Sequence, residues 1–381
     1  MHGLLTLAIA LMMTKPLAHD AASSLKALRA IDVDREMPDT DVPPLVAQLM
    51  KNAKHDLRDL AGAALNAQSG DAKALIIEAL AEEGVDTDEK SCDCMGDYGR
   101  LLTLDVAPLA GHRDIVAVEI TLSLPCGDDS ALYLFRNGRL VYQREADDYQ
   151  RVGQGLGSFS WRASAEDANG SFLVITTSIS PACISMWQWL TYSVDRVTPW
   201  CNDAEEIARG GSSIYDGWDN LDVDVKPDGY SLHFNAASFD TDMLVRPYRI
   251  TMHVDGDRLT RIDPVADSPR DFVEEWLAMT DDDAQRWSDA AAPRPLNENT
   301  LRSFGPIRQC ADGLWQVRVD DQPDFESDEF TSIYFIVSAK EKVFRLIDIR
   351  DEARDGCPDE VEPATDDEAS PSPPEAPRDR S

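Results

Sequence analysis

Cysteine is the residue type with the most evident chemistry in this chain, because its thiols form disulfides or bind metals. The seven cysteines are Cys92, Cys94, Cys126, Cys183, Cys201, Cys310 and Cys357. Disulfides persist in oxidising compartments, so this set is typical of an exported protein. Because the number is odd, at least one thiol is unpaired or shared with another chain.

Strand lengths restrict which cysteines can pair. Cys183 and Cys201 flank a β-run over 184–196, which as one straight strand holds them roughly 40 Å apart at about 3.3 Å per residue. We therefore expect these two not to pair with each other. Cys126 ends one predicted strand and Cys183 begins another, so they meet if these strands are antiparallel neighbours.

The other cysteines allow two further pairings. Cys201 reaches Cys92 or Cys94 by the same argument, because both precede the strand that begins near residue 101. Cys310 and Cys357 lie at opposite ends of the last predicted strands. They join only if the chain after the last strand folds back along the sheet.

The short spacing of Cys92 and Cys94 raises the alternative of a metal site, completed by Cys126 or by His112 in its Gly-His-Arg-Asp turn. Structural zinc sites usually have cysteines two to four residues apart, in two pairs. Here one residue separates the cysteines and no second pair follows, so a disulfide or free thiols are the preferred interpretation. The sequence predicts neither a metal nor a cofactor.

Histidine is the usual base that activates a nucleophile. Outside the N-terminal segment the histidines are His55, His112, His233 and His253. His233 and His253 each alternate with apolar neighbours, so they point away from the apolar faces of their strands. If those strands pair, the outward faces form a shallow polar site, although two surface histidines are the simpler interpretation. No catalytic residue is predicted, because no Gly-X-Ser-X-Gly or His-Glu-X-X-His motif is present.

Two further stretches resemble ligand-binding loops in composition but lack features that such loops require. Residues 222–229 begin like an EF-hand loop, yet Lys226 occupies the third ligand position and no Glu closes the loop. The glycine series 153–157 leads into a strand rather than a helix, so we expect a plain loop instead of a phosphate cradle.

Trp187 and Trp189 alternate along one strand and therefore share one of its faces. Packing between two sheets is the preferred interpretation of this pair. The alternative is an exposed aromatic platform for a glycan or a peptide.

The charge of the chain limits its partners. The formal net charge is −34 and the sequence pI is about 4.4. Nucleic acids and anionic membranes would repel such a chain, and no cluster of Lys and Arg offsets the acidity. We expect an acidic surface whose main effect is solubility.

The N-terminus begins with an apolar run over residues 1–13, which has the length of a signal-peptide core. We interpret residues 1–20 as a signal peptide cleaved after Ala18, although no Lys or Arg precedes the run and Pro16 occupies the −3 position. No later stretch is long and apolar enough to span a membrane. The expected location is periplasmic or extracellular.

The first structural elements predicted after the N-terminal segment are helices, which cover residues 21–85. Apolar residues recur every three or four positions from Val46 to Ala64, which predicts an amphipathic helix, and His55 lies off that stripe. Asp71 is expected to cap a second helix of the same hairpin, and a short helix is expected around residues 24–31.

A central antiparallel β domain, sandwich-like, is predicted for residues 86–200. Asn137-Gly138 lies between two apolar runs and indicates a tight hairpin. From 201 to 352 we expect an α+β unit that begins with a short helical piece and includes a hairpin around residue 256.

The same unit should continue with two capped helices and finish in a three-stranded meander. Ser268-Pro269 and Thr280 are predicted to start the helices. Residues 353–381 are rich in Asp, Glu, Pro and Ser, which predicts a disordered acidic tail.

The predicted fold class is therefore α+β, with runs of strands followed by helices rather than βαβ alternation. We expect an exported, non-enzymatic protein that binds a protein, peptide or glycan through its β domain. The alternative is an extracytoplasmic hydrolase with a dispersed site, because a catalytic carboxylate pair cannot be singled out in so acidic a sequence.

Overall fold

The computed structural model describes residues 2–33, 42–67, 71–85, 97–125, 127–145, 159–179, 187–198, 200, 203–215, 221–289, 301–322 and 331–357. The chain forms two compact units. The first comprises Met1–Ser238 and Leu244–Val265, and the second comprises Phe239–Met243 and Ala266–Ser381. Helices come first and antiparallel sheets follow, which confirms the predicted α+β class.

Three helices open the first unit: α1 (His2–Arg29), α2 (Pro44–Asn66) and α3 (Ala72–Glu82). The side chain of Asp71 accepts a hydrogen bond from the backbone N–H of Ala74, so α3 is capped as expected. The helix expected around residues 24–31 is longer than predicted and runs through Ala18, which is buried against α2 and α3.

The first sheet contains β1 (Leu101–Pro108), β2 (Ile115–Leu124), β3 (Gly127–Arg136) and β4 (Arg139–Arg144), in that order and antiparallel. Asn137 and Gly138 have φ values of 50° and 73°, which confirms the predicted tight hairpin between β3 and β4. Val118 and Ile120 face the helices, whereas Ala117 faces the next sheet.

The second sheet is eight-stranded and completes the first unit. Its strands are β5 (Phe159–Ala163), β6 (Phe172–Ile179), β7 (Trp187–Thr198), β8 (Asp203–Tyr215), β9 (Asp222–Lys226), β10 (Gly229–Ala237), β11 (Val245–Asp255) and β12 (Arg258–Arg261). The order is β12-β11-β10-β8-β7-β6-β5, with β9 paired to β10.

The helices and strands of the first unit form layers, and an apolar core lies between each two neighbouring layers. One lies between the helices and the first sheet, one between that sheet and β5–β8, and one between β5–β8 and β9–β12. The link from β8 to β10 is a single position, Ile214 opposite Ala236, so the second sheet folds over on itself. Strands β5–β8 are therefore covered on both faces over part of their length.

The helical piece expected after residue 201 is wrong, because this stretch forms strand β8. The sequence from Ala204 to Arg209 favours a helix locally, but β8 pairs with β7 along its whole length, and tertiary pairing overrides local preference. The same pairing crosses the boundary expected at residue 200. The compact units divide instead near residue 265.

The second unit contains α4 (Pro269–Ala278), α5 (Asp281–Arg286) and a sheet of β13 (Leu301–Gln309), β14 (Trp315–Gln322), β15 (Thr331–Lys340) and β16 (Val343–Arg350). Ser268 and Thr280 cap the two helices as predicted. The antiparallel meander is confirmed, with β13 as an additional strand. It was missed because Gly305-Pro306 interrupts its pattern, where the register with β14 shifts.

The last described residues fold back along this sheet. Arg354 donates its backbone N–H to the side chain of Gln316 at 2.7 Å, and Ala311 donates to the carbonyl of Gly356. Cys310 and Cys357 form a disulfide with their Cα atoms 4.0 Å apart. The tail was predicted to begin at residue 353, but residues 353–357 are held against the sheet by these contacts. The rest of the predicted tail, from residue 358, lies outside the described residues, as does the glycine series 153–157.

Candidate functional site

The strongest candidate site is a cleft where the first sheet meets β5, which we call the edge cleft. It has a volume of about 490 Å³. Strands β1 and β5 are the edge strands of their sheets. The lining residues are Asp105, Ala107, Pro108, Leu109, Ala110, Ala117, Glu119 and 159–163.

Polar contacts close the other side of the same sandwich, near β4. Tyr142 donates its hydroxyl to Asp195 at 2.8 Å, and Arg144 donates to Glu206 at 3.1 Å. These contacts join β4 to β7 and β8. The cleft therefore lies on the side where the two sheets separate.

Glu119 is the central polar group of the edge cleft. It lies on β2 and points away from the helices, on the same face as Ala117. The indole N–H of Trp161, on β5, donates to Glu119 Oε2 at 2.9 Å. This hydrogen bond spans the two sheets and fixes the carboxyl at the wall of the cleft.

The environment of Glu119 favours its protonated form. Burial is the main cause and raises the pKa of the carboxyl above its ordinary value of 4.5. The hydrogen bond from Trp161 opposes this rise, because it stabilises the ionised form. The negative charges of Asp105 and Asp128 add to the rise.

Asp105 is the second carboxylate of the cleft and lies directly opposite Glu119 in the β1–β2 register. Side chains in such a cross-strand pair have Cβ atoms about 5 Å apart. Lys73 Nζ lies 3.6 Å from Asp105 Oδ1, whose side chain is 59% exposed. The pair therefore combines one solvated carboxylate with one carboxyl that burial holds toward neutrality.

His233 and His253 do not meet, although their strands pair as the sequence allowed. Ser231 lies opposite Thr251, whereas His233 lies opposite Arg249 and His253 opposite Gly229. The four-residue offset separates the two histidines by about 13 Å along the strands.

His253 lines a separate pocket of about 220 Å³ on the β9–β11 face, together with Asp224, Lys226 and Asp228. No group of three His, Cys, Asp or Glu side chains suited to a metal ion occurs among the described residues. The acidic stretch 222–229 forms strand β9 and the turn into β10.

The other two histidines have structural surroundings. His112 is buried, its Nε2 lies 2.7 Å from the carbonyl oxygen of Ser164, and its ring packs on Phe172 at 4.3 Å. His55 is half-exposed on α2, with Nε2 3.1 Å from Glu145. Neither lines the edge cleft.

Five of the candidate cysteines cannot be placed. Cys92, Cys94, Cys126, Cys183 and Cys201 lie outside the described residues. Their pairings and the alternative metal site remain predictions from the sequence.

Trp187 and Trp189 lie at the start of β7 and are solvent-exposed, at 37% and 51%. The preferred interpretation, packing between sheets, is therefore wrong at these two positions. The first sheet covers the same face of β7 farther along, near Asp195 and Val197, and does not bury its beginning.

Sequence reasoning missed Glu119 and Trp161. A signal was present, because Glu119 interrupts the apolar run 116–122 on a predicted strand. A charged residue within such a run indicates either a solvated face or a buried, functional carboxyl.

Comparisons with known proteins assign no family. No family model and no curated protein sequence matches the chain. Structural similarity is also low. A mannose phosphorylase from Leishmania mexicana, solved with a phosphate ion, has 8% identity and a TM-score of 0.20, over 65% of this chain and 68% of that chain.

Two other solved structures give the same result. A hypothetical protein from Leishmania major has 8% identity and a TM-score of 0.21, over 64% of this chain and 68% of that one. A GDP-Man-dependent mannosyltransferase from Leishmania mexicana has 9% identity and a TM-score of 0.21, over 64% and 69%. Scores this low support no argument about fold or function.

Proposed function

We propose that this chain is an exported, non-enzymatic protein that binds a small ligand in the edge cleft of its β domain. The observation that carries the proposal is the cleft itself. Its volume falls in the range of small-molecule sites, which combine apolar walls with a few converging polar groups. Here the apolar walls come from β1, β2 and β5, and the polar groups include Glu119, Asp105, Ser160 and Arg162.

The polar groups restrict the chemistry of the ligand. Protonated Glu119 both donates and accepts hydrogen bonds, whereas its ionised form only accepts. Asp105 accepts, and the net charge of −34 repels anions. Arg162 also lines the cleft, but two carboxyl groups and the acidic net charge outweigh this one cation. The expected ligand is therefore neutral or cationic and rich in hydrogen-bond donors, such as a polyol or an amine.

Two observations support export. The chain begins with an apolar run of signal-peptide length. Cys310 and Cys357 are joined, and disulfides persist outside reducing compartments. Among the described residues, no helix has both the length and the apolar character needed to cross a membrane.

The proposal is tested by a thermal-shift screen with sugars, polyols, amines and amino acids. A ligand that binds only the folded state raises the melting temperature in a concentration-dependent way. We expect such a ligand to lose its effect in Ala107→Trp, which fills the cleft, and to bind more weakly to Glu119→Gln.

His253→Ala is the matched control, because it alters the smaller pocket and leaves the edge cleft intact. A ligand whose effect disappears in His253→Ala but persists in Ala107→Trp would move the site to the β9–β11 face. No stabilisation by any neutral or cationic compound would contradict the proposal.

A hydrolase is the second candidate, and the Asp105–Glu119 pair is the observation that favours it. Retaining glycosidases place an acid and a nucleophilic carboxyl group about 5 Å apart, and the Cβ atoms of a cross-strand pair such as Asp105 and Glu119 have a comparable spacing. Glu119, whose pKa is raised, has the character of the acid, and Asp105 has that of the nucleophile. Hydrolysis of chromogenic glycosides that is abolished by both Glu119→Gln and Asp105→Asn would establish this activity over simple binding.

A further inference from the structure

A second feature of the β domain is an exposed group of aromatic side chains, which we call the aromatic platform. It consists of Trp187 and Trp189 on β7 and Tyr215 on β8. Trp187 lies opposite Tyr215 in the register, and Trp189 lies opposite Ser213. Because these four positions alternate in step, their side chains share one face of the sheet.

The indole of Trp189 is positioned by a glycine. A Cβ atom added at Gly211 would lie 2.8 Å from Trp189 Nε1 and 3.1 Å from Cε2, so the ring lies against the bare backbone of β8. The side chain is nevertheless 51% exposed. The ring is thus in contact with the strand, and about half of the side-chain surface is accessible to solvent.

The edge of the platform is also ordered by a ring contact. Trp187 and Tyr215 have centroids 5.2 Å apart and ring planes inclined at 67°, an edge-to-face arrangement. Trp187 retains 37% exposure. The platform therefore presents aromatic surface that is already held in place before any ligand arrives.

The described residues of the platform carry no charge, although the chain as a whole is acidic. The aromatic residues of the platform and their neighbours Gly211 and Ser213 are all uncharged, in a protein with a net charge of −34. The overall field repels anionic partners, and none of the described platform residues carries a carboxylate to recruit a cationic one. An uncharged partner with both apolar and hydroxyl surface fits this composition.

We propose that the aromatic platform binds an uncharged glycan, with the face of a pyranose ring stacked on the indole of Trp189. The C–H groups on one face of a pyranose form an apolar surface that fits a flat aromatic ring. The hydroxyl of Ser213, opposite Trp189, lies beside the ring and can exchange hydrogen bonds with the sugar hydroxyls.

A proline-rich peptide is the competing occupant, and the geometry favours it less. Such peptides bind in grooves between aromatic ridges. Trp189 instead lies against the backbone of its neighbouring strand at Gly211, so the ring and this strand do not form the two walls of a groove. The proposal is independent of the edge cleft, because none of the platform residues lines it.

The test is sedimentation of the full chain with insoluble neutral polysaccharides, namely cellulose, chitin and starch, followed by titration with their soluble oligosaccharides. We expect the native protein to bind at least one of them. Trp189→Ala should weaken binding roughly tenfold, whereas Trp189→Phe, which keeps a ring, should lose less.

Trp200→Ala is the matched control. Trp200 is 68% exposed and lies beyond the other end of β7, with the guanidinium of Arg136 over its ring at 3.5 Å. Its removal should leave glycan binding within twofold of the native value. Urea denaturation of each variant separates loss of binding from loss of folding.

Three outcomes would overturn the proposal. In the first, folded native protein binds none of the neutral glycans. In the second, a Trp187→Ala/Trp189→Ala variant binds glycan as well as the native chain does. In the third, no glycan binds, whereas a proline-rich peptide binds the native protein and not Trp189→Ala. If Ala107→Trp loses ligand binding in the edge cleft but still binds the glycan, the cleft and the platform are separate binding sites.

Discussion

The first sheet carries a carboxyl group on each of its faces, one fully buried and one partly buried, in two different environments. On the helix side, Asp129 of β3 pairs with Lys54 of α2 at 2.8 Å, and both side chains are fully buried. On the opposite side, Glu119 of β2 receives a neutral donor, the indole N–H of Trp161. One carboxylate is neutralised by a cation, and the other is held toward protonation by its surroundings.

This difference separates a structural carboxylate from a functional one. A buried charge with a cation beside it ties a helix to a sheet and is closed to solvent. A carboxyl at the wall of a cleft, with a raised pKa and a neutral partner, can exchange protons or hydrogen bonds with a ligand. Both the partner and the access to solvent distinguish the two groups, because Asp129 is fully buried beside a cation whereas Glu119 is partly accessible beside a neutral donor.

The largest effect is expected when the buried ion pair is broken. Lys54→Met leaves Asp129 buried without its cation, which typically costs about 3–5 kcal/mol. We expect urea denaturation to show a loss of this size in the free energy of unfolding. Lys226→Met removes a cation from an exposed pair with Asp224 and should cost less than about 1 kcal/mol.

A double variant sharpens this prediction. Lys54→Met/Asp129→Leu replaces both charged groups by apolar ones, and such replacements are often neutral. We expect most of the stability to return. If the double variant is as unstable as Lys54→Met, the pair is not the source of the loss.

The second effect concerns the cross-sheet hydrogen bond. Trp161→Phe keeps an aromatic ring on β5 but removes the donor to Glu119, which should cost about 1–2 kcal/mol. Because that donor stabilises the ionised carboxyl, its loss should raise the pKa of Glu119 further. Carbon-detected NMR titration of the Glu119 carboxyl measures the change, and an unchanged or lowered pKa would contradict the prediction.

The sequence predicted the elements whose signals are local. Asn137-Gly138 specified its hairpin through backbone conformation, and Ser268 and Thr280 specified helix starts through side-chain capping. Strand β8 was missed because its residues favour a helix until they pair with β7. Pairing between distant strands is not visible in a local pattern.

The candidate site was harder to predict for the same reason. Glu119 was visible as a charge within an apolar run, but Trp161 lies 42 residues farther along the chain and in another sheet. Only the packing of the two sheets brings them together. The alternation of Trp187 and Trp189 was readable, whereas their exposure depends on where the first sheet ends.

The third effect is a dependence of stability on pH. The folded-state pKa of Glu119 lies above its ordinary value of 4.5, so the folded protein binds this proton more tightly than the unfolded chain. The contribution is fully present below about 4.5 and is lost as the pH rises through the folded value. Glu119→Gln removes this dependence, so the variant should gain stability relative to the native protein as the pH increases. Urea denaturation at a series of pH values measures this, and a constant difference would contradict it.

The smallest expected effect separates two contributions to the pKa of Glu119, namely the charge of Asp105 and the burial of Glu119 itself. Asp105 lies opposite Glu119, and its negative charge raises the pKa of Glu119 in addition to the larger effect of burial. Asp105→Asn should therefore lower the pKa of Glu119 slightly and leave it above 4.5, because burial persists. Solvent screens this charge, since the Asp105 side chain is 59% exposed, and added salt should reduce the difference between the variants. An NMR titration in which Asp105→Asn returned the pKa fully to its ordinary value would contradict this prediction, because it would mean that the charge of Asp105, and not burial, raises the pKa of Glu119.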